Sequence, residues 1–450
     1  MTTTRHHGRR APTRSGSRSG SRSGSRSGSR SGTGRPSFAG NVGWGIAGNA
    51  GYALCQWLVL VVIARLGTPA MVGDYVLGLA VGAPVVLLAS LSLRTVLVTD
   101  PDGEHPFRRY LLVRLAGMAL ALAAVGGAVV LFDLPPAVVL LVGAAKAFDG
   151  VGDIYLGLLQ RHHDQRSIAT AQLVNGGLTI ALTAALLVGT SSIAWAAAGS
   201  AGASLLTWLM CCAPLAGRFH ARALVEHRAL VEHRPLVESR HRTHRAAGGV
   251  ADLLWTALPL GIASGLTSLT ANVPRYALQD HLGAAALGVF AAAGYLVLTG
   301  NVLFSAVAQT LLPRLTELRA GAPERFRALL RQALVGVGIA GALGVWAAWL
   351  FGAGLLRLIY GAEYAGNGPL LTVLTLATVL GGGCFMLDAA LSATRRFGGQ
   401  LVVNAAVLVV AAIAALVLVP RYGVLGAAWA AAAAAAIHCG LKAEVLRRAL

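Results

Sequence analysis

The sequence predicts an all-α polytopic membrane protein of about twelve transmembrane helices, arranged as two pseudo-repeated six-helix bundles. Three observations carry this: apolar residues fall in uninterrupted runs, basic residues concentrate in alternate loops, and matching signatures recur in the two halves. Of the 450 residues, 56% are hydrophobic and 12% are charged. An average soluble domain carries roughly 25% charged residues. Runs such as Leu334–Leu350 and Leu401–Val419 contain no charge and approach the ~20 residues that cross a hydrocarbon core. With no water to satisfy backbone amides there, such runs must be helices.

In chain order, residues 1–37 precede the first apolar run and read as a basic tail. Ser15–Arg30 repeats Ser-Gly-Ser-Arg four times, a composition that stays extended rather than packing a core. It holds no apolar core of a signal peptide. It is expected to lie in the cytosol, where its arginines help to fix topology or hold anionic lipid. Helices are predicted at 40–64, 73–93, 110–132, 136–160, 168–188 and 193–216, forming a first bundle over 38–216. A polar linker, 217–250, carries the tandem hexads Ala223–Arg228, Ala229–Arg234 and Pro235–Arg240. A six-residue period rotates 600° around a helix, so the leucines never build one face. A second bundle, 251–450, contains helices at 252–276, 285–312, 329–352, 368–392, 400–420 and 424–443.

Charge supplies the orientation. With the N-terminus cytoplasmic, 32 of the 37 arginines and lysines fall on the inner side and four (Arg65, Arg275, Arg357, Arg421) on the outer; Lys146 lies within a helix. That asymmetry is the positive-inside pattern, and it places both termini in the cytoplasm. The halves also echo one another. Leu66-Gly67 followed by Gly73-Asp74-Tyr75 parallels Leu282-Gly283 followed by Gly288-Val289-Phe290, and Asp153 precedes Arg161 as Asp388 precedes Arg396. Such repeats occur in transporters that rock one half against the other.

The net charge of +19 does not make a nucleic-acid surface. Nine arginines sit in the tail and most others in short loops, whereas a basic groove needs them on one folded face. Cys55, Cys211, Cys212, Cys384 and Cys439 form no CxxC pair and sit in apolar runs, so they read as small packing residues. Gly43-Trp44-Gly45-Ile46-Ala47-Gly48 matches a nucleotide-binding glycine pattern, but it opens an apolar helix with no strand before it. Arg161-His162-His163-Asp164 places adjacent histidines pointing apart, which does not make a metal site. No cofactor is expected.

Intramembrane ionisable groups are functional candidates because burying them is costly. Lys146, Asp149 and Asp153 share one face of the fourth helix through spacings of three and four; that face must look into protein or water. Asp388 occupies the matching place on the tenth helix, and Arg275 lies near the outer end of the seventh. Amides at Asn49, Gln56, Asn175, Asn272, Asn301 and Asn404 are expected mainly to bond neighbouring helices, with Asn272 singled out as a neighbour of Arg275.

Several segments carry a family resemblance. Asn272-Val273-Pro274-Arg275-Tyr276, Gly283, Leu287–Phe290 and Tyr295 resemble the seventh-to-eighth helix signature of bacterial polysaccharide (O-antigen and capsule repeat-unit) flippases. Gln309 with Pro313-Arg314-Leu315, Ile359–Ala365, and Pro420 with Tyr422-Gly423 and Gly426–Ala428 are similar to that family's later segments. The resemblance spans roughly 38–445. It implies membership of the superfamily that includes multidrug antiporters and the lipid II flippase. The implied activity is turning an undecaprenyl-pyrophosphate-linked oligosaccharide from the inner to the outer leaflet of the bacterial plasma membrane by alternating access. A polysaccharide polymerase and glycosyltransferases are the implied partners. A central cavity between the halves would then bind the pyrophosphate through Lys146, Arg275 and Asn272, while Asp149, Asp153 and Asp388 take up H+ or Na+. The alternative from the same fold is a cation-coupled multidrug or metabolite exporter. A polytopic glycosyltransferase or ligase would need a larger outer surface than these short loops, with Asp133, Asp280 and Glu363 as their acids, provide.

Overall fold

A computed structural model describes residues 38–100, 105–214, 249–394 and 400–448; the tail and the linker hexads lie outside them. The described residues are helical, with no strand among them. The first half contains α1 (Phe38–Leu66), α2 (Pro69–Ser90), a short α3 (Leu93–Val98), α4 (Phe107–Leu131), α5 (Pro136–Arg161), α6 (Gln165–Thr190) and α7 (Ile193–Thr207). The last continues as a π-turn over Trp208–Cys212. The second half contains α8 (Val250–Gly321), α9 (Pro323–Tyr360), a 3-10 turn (Ala362–Asn367), α10 (Gly368–Ala393) and α11 (Gln400–Arg447).

Two of these helices are too long for one crossing. The 72 residues of α8 would extend about 108 Å if straight, against a hydrocarbon core of ~30 Å. Instead Gly283 adopts φ 78°, ψ −177° and reverses the chain, as Gly423 does in α11 at φ 60°, ψ −134°. Contacts fix the reversal. Along α2 the first arm of α8 runs antiparallel, with Gly261 against Leu91, the Tyr276 hydroxyl donating to the Ala80 carbonyl and Ala284 against Gly73. The second arm returns beside α10, where Gly300 meets Thr378 and Arg319 Nη1 donates to the Ala393 carbonyl at 3.1 Å. Among the described residues nine helices are long and apolar enough to cross a membrane. Two of them cross twice, and α5 adds one more pass despite its charged centre, so the chain makes the twelve passes that were predicted.

The turns at Gly67–Thr68, 132–135, Ser191–Ser192, Gly283, 361–367 and Gly423 share one end, here the turn end. A single apolar core fills it from both halves, joining Leu60, Ile63, Val76 and Val139 to Leu278, Phe290, Tyr360 and Val419, each at most 6% exposed. Burial of such side chains stabilises by about 1.5–3 kcal/mol each in water; within lipid, close packing takes over as the cohesive term. Polar contacts reinforce it: Arg65 Nε donates to the Ile359 carbonyl at 2.7 Å, and Trp57 Nε1 to the Tyr360 hydroxyl at 2.8 Å. Toward the opposite end the buried apolar residues divide. Leu315, Phe326, Met386 and Leu446 belong to a cluster of the second half, while Leu93, Leu97, Tyr110 and Ile154 form a separate one with Leu253 and Ala257.

Two departures from the predicted helices matter for the site. The helix predicted at 73–93 stops at Ser90, because Leu91 and Ser92 take left-handed conformations at φ 50° and 49°, and the chain restarts as α3. The helix predicted at 110–132 begins at Phe107, which places Arg114 two turns into α4 rather than one.

Candidate functional site

The site is built on α5. Prolines at 135 and 136 start this helix without wasting a backbone donor, and its charged face meets α2, α3, α4, α6 and α7. Lys146 Nζ donates to Asp149 Oδ2 at 2.8 Å, and Asn175 Nδ2 of α6 donates to Asp149 Oδ1 at 3.0 Å. Thr179 holds Asn175 in place through its hydroxyl, at 2.8 Å from the Asn175 carbonyl and 3.2 Å from its Oδ1. One turn further on, Asp153 accepts from Arg94 Nη1 at 2.7 Å and from Arg114 Nη2 at 3.4 Å. The Arg94 Nε meanwhile donates to Gln160 Oε1 at 2.9 Å.

Each partner is placed by a specific backbone event. The break at Leu91–Ser92, pinned by the Ser92–Ser264 hydroxyl contact at 3.2 Å, swings α3 across α5 and delivers Arg94. Gly157 leaves room for it: a Cβ there would lie 3.0 Å from Arg94 Cγ. Arg114 is 1% exposed, and its Nε and Nη1 meet no acceptor among the described residues.

These groups line one cavity of about 490 Å³. Its wall includes Arg94, Arg114, Lys146, Asp149 and Asp153, with Tyr52, Asn175 and the π-turn residues Trp208 and Cys212. Such π-turns cluster at functional positions in helices. Three cations face two carboxylates, so the wall has a formal excess of one positive charge. Within a low-dielectric slab that excess is felt more strongly than on a wetted surface.

The remaining candidates lie elsewhere. The cavity wall comes from first-half helices, and neither Arg275 nor Asn272 lines it. Arg275 Nη1 donates to Asn272 Oδ1 at 2.8 Å, and Asn272 in turn donates to the Ser268 carbonyl at 2.8 Å. Asp388 binds Lys442 Nζ through both oxygens at 2.7 and 2.8 Å, on α10 and α11 in the second half. A smaller cavity of about 220 Å³ lies between α8 and α11 and is lined by Thr267, Asn404 and His438 among others. No group of three or more potential metal ligands occurs among the described residues.

Three charged residues escaped the sequence reading. Arg94, Arg114 and Lys442 were all pooled with basic loop residues, yet each is the partner of a predicted aspartate. For Arg114 the flanking Leu111, Val113 and Leu115 were the available signal; for Lys442 nothing local marked a partner 54 positions away.

A family model described as "Polysaccharide biosynthesis protein" matches residues 38–319. The chain is 26% identical over 379 residues to the capsular polysaccharide biosynthesis protein CapF of Staphylococcus aureus, covering 84% of this chain and 91% of that one. Among solved structures, the lipid II flippase MurJ in an inward closed conformation superposes with a TM-score of 0.64 at 12% identity, covering 90% of this chain and 87% of that one. An inward-facing MATE-family multidrug resistance transporter of the MOP superfamily superposes with a TM-score of 0.62 at 16% identity, covering 88% and 94%. The chain is therefore a multi-pass membrane protein that belongs to the polysaccharide biosynthesis protein family, built on the fold shared by the flippase-like transporters of the MOP superfamily.

Proposed function

We propose that this protein flips an undecaprenyl-pyrophosphate-linked oligosaccharide from the cytoplasmic to the outer leaflet of a bacterial plasma membrane by alternating access. The observation that carries the reading is the ionised cavity inside a membrane-spanning half, whose wall has Arg94, Arg114 and Lys146 against Asp149 and Asp153. An amphiphile with a polar, doubly phosphorylated head and a long apolar tail needs such a wetted, basic path beside lipid. A cationic drug would meet the wrong sign of charge. The core shared by both halves at the turn end, and the mixed cluster of Leu93, Ile154, Leu253 and Ala257 opposite, are the two seals that such a cycle would break in turn. With the turn end outside, both termini face the cytoplasm, where glycosyltransferases assemble the cargo; a polymerase would receive it outside. Asp149, Asp153 and Asp388 are proposed to exchange H+ or Na+ as their ion pairs open and close.

The test is reconstitution in liposomes with a lipid-linked oligosaccharide loaded in one leaflet, followed by its appearance at the other through a membrane-impermeant glycosidase. The protein should accelerate exposure, and replacing both Lys146 and Asp149 with leucine should abolish the acceleration. Exposure no faster than in protein-free liposomes would sink the proposal.

A further inference from the structure

We infer that Arg94 and Arg114 form a phosphoryl-binding subsite in the first-half cavity, and that Asp153 is its built-in competitor, occupying the guanidinium groups until a ligand displaces it. The proposed transport supplies only the source of the phosphate; the subsite itself rests on local geometry.

Two guanidinium groups share one carboxylate here, at 2.7 and 3.4 Å. Each guanidinium offers five N–H donors and no acceptor, so a single carboxylate leaves most of them unused. The shortfall is concentrated on Arg114, whose Nε and Nη1 are buried without an acceptor among the described residues although the side chain is 1% exposed. Buried polar atoms without partners are uncommon in native structures and call for an explanation. A bound phosphoryl oxygen supplies one, because the planar guanidinium fork matches phosphate geometry bidentately.

The neighbouring charges steer the ligand to this station rather than to Lys146. Lys146 and Asp149 neutralise each other at 2.8 Å, and Asn175 occupies the second oxygen of Asp149. Around Asp153 two positive charges face one negative. The Asp153 side chain is 35% exposed, so it has open space into which to withdraw. Gly157 keeps Arg94 close against α5, which holds the two guanidinium groups over the same carboxylate. On ligand arrival the Asp153 contacts are exchanged for phosphoryl contacts, the idle nitrogens of Arg114 gain acceptors, and the carboxylate is released into the cavity.

The experiment uses the full-length protein in nanodiscs of zwitterionic phospholipid, with radiolabelled inorganic pyrophosphate as the probe in equilibrium binding. Asp153→Asn removes the competing charge and should tighten binding about tenfold, while Arg114→Gln and Arg94→Gln should each weaken it about tenfold or more. Asp153→Asn binding no tighter than wild type would overturn the subsite, as would Arg114→Gln and Arg94→Gln binding like wild type. A gain of affinity cannot come from misfolding, so Asp153→Asn decides the matter even if Arg114→Gln fails to fold. Two competitors identify the source. Displacement by phosphatidylglycerol assigns the subsite to a lipid headgroup, displacement by undecaprenyl pyrophosphate alone assigns it to the transported substrate, and displacement by neither rejects a membrane-borne phosphate. Oligosaccharide exposure in matched liposomes keeps the two proposals apart. Transport without an Asp153→Asn effect removes only the subsite; the predicted binding order without transport removes only the flippase.

Discussion

Lys146 and Asp149 offer the most direct way to ask whether the charged wall of α5 is a coupled unit. Replacing Lys146 with methionine keeps the side-chain length and removes the charge, leaving Asp149 with only the Asn175 amide at 3.0 Å. Removing one partner of a fully buried ion pair costs roughly 3–5 kcal/mol. Here the side chains are 22% and 19% exposed, so water in the cavity screens the orphan and about 2 kcal/mol is expected. Asp149→Leu should cost about as much by stranding the ammonium. The double variant, Lys146→Met with Asp149→Leu, strands nothing and should return close to wild-type stability, a coupling energy of about 4 kcal/mol. Unfolding by sodium dodecyl sulfate in mixed micelles, followed by helical circular dichroism, measures all three. Additivity within about 0.5 kcal/mol, the scatter of independent sites, would refute the pairing. The double variant is also the sharpest probe of transport, because its stability is retained while its charge is gone.

The reversal at Gly283 gives a second prediction. Alanine at φ 78° is strained, so Gly283→Ala should destabilise by at least about 1 kcal/mol in the same unfolding assay; an unchanged midpoint would contradict the hairpin geometry. A third concerns the seal at the turn end. Trp57→Phe removes the bond to the Tyr360 hydroxyl, worth about 1 kcal/mol, and should raise the population open at that end about fivefold. The labelling rate of a cysteine placed at Leu60, which is 1% exposed, by a membrane-impermeant maleimide reads this directly. A rate equal to that in the Trp57 background would remove Trp57 from the seal.

Much of the fold was legible because lipid leaves the backbone so few options. Charge-free runs fixed where helices cross, and Gly283 and Gly423 fell between predicted helices where the chain reverses. The face of α5 was equally readable, since spacings of three and four group Lys146, Asp149 and Asp153 whatever surrounds them. The partners of those residues were not. Counting arginines and lysines by loop treats a basic residue near a helix end as solvated, yet Arg114, two turns into α4, is 1% exposed against Asp153. Arg94 reaches Asp153 only because the left-handed residues Leu91 and Ser92 redirect the chain, and nothing in that leucine-serine pair announces a break. The cavity's ownership by the first half was likewise hidden. Arg275 is an intramembrane cation by sequence, but its guanidinium turns back to Asn272 on its own helix, a choice that only side-chain packing determines.

The reversals at Gly283 and Gly423 have a topographic consequence. Each hairpin spends a single glycine on its turn, and the two tips sit side by side, a Cβ on Gly423 lying 3.7 Å from Leu282 Cδ1. With only Gly67 and Thr68 linking α1 to α2, much of this rim is bare helix termini. A macromolecule approaching from that side finds loop to grip only at 132–135 and 361–367, the connections there of more than two residues.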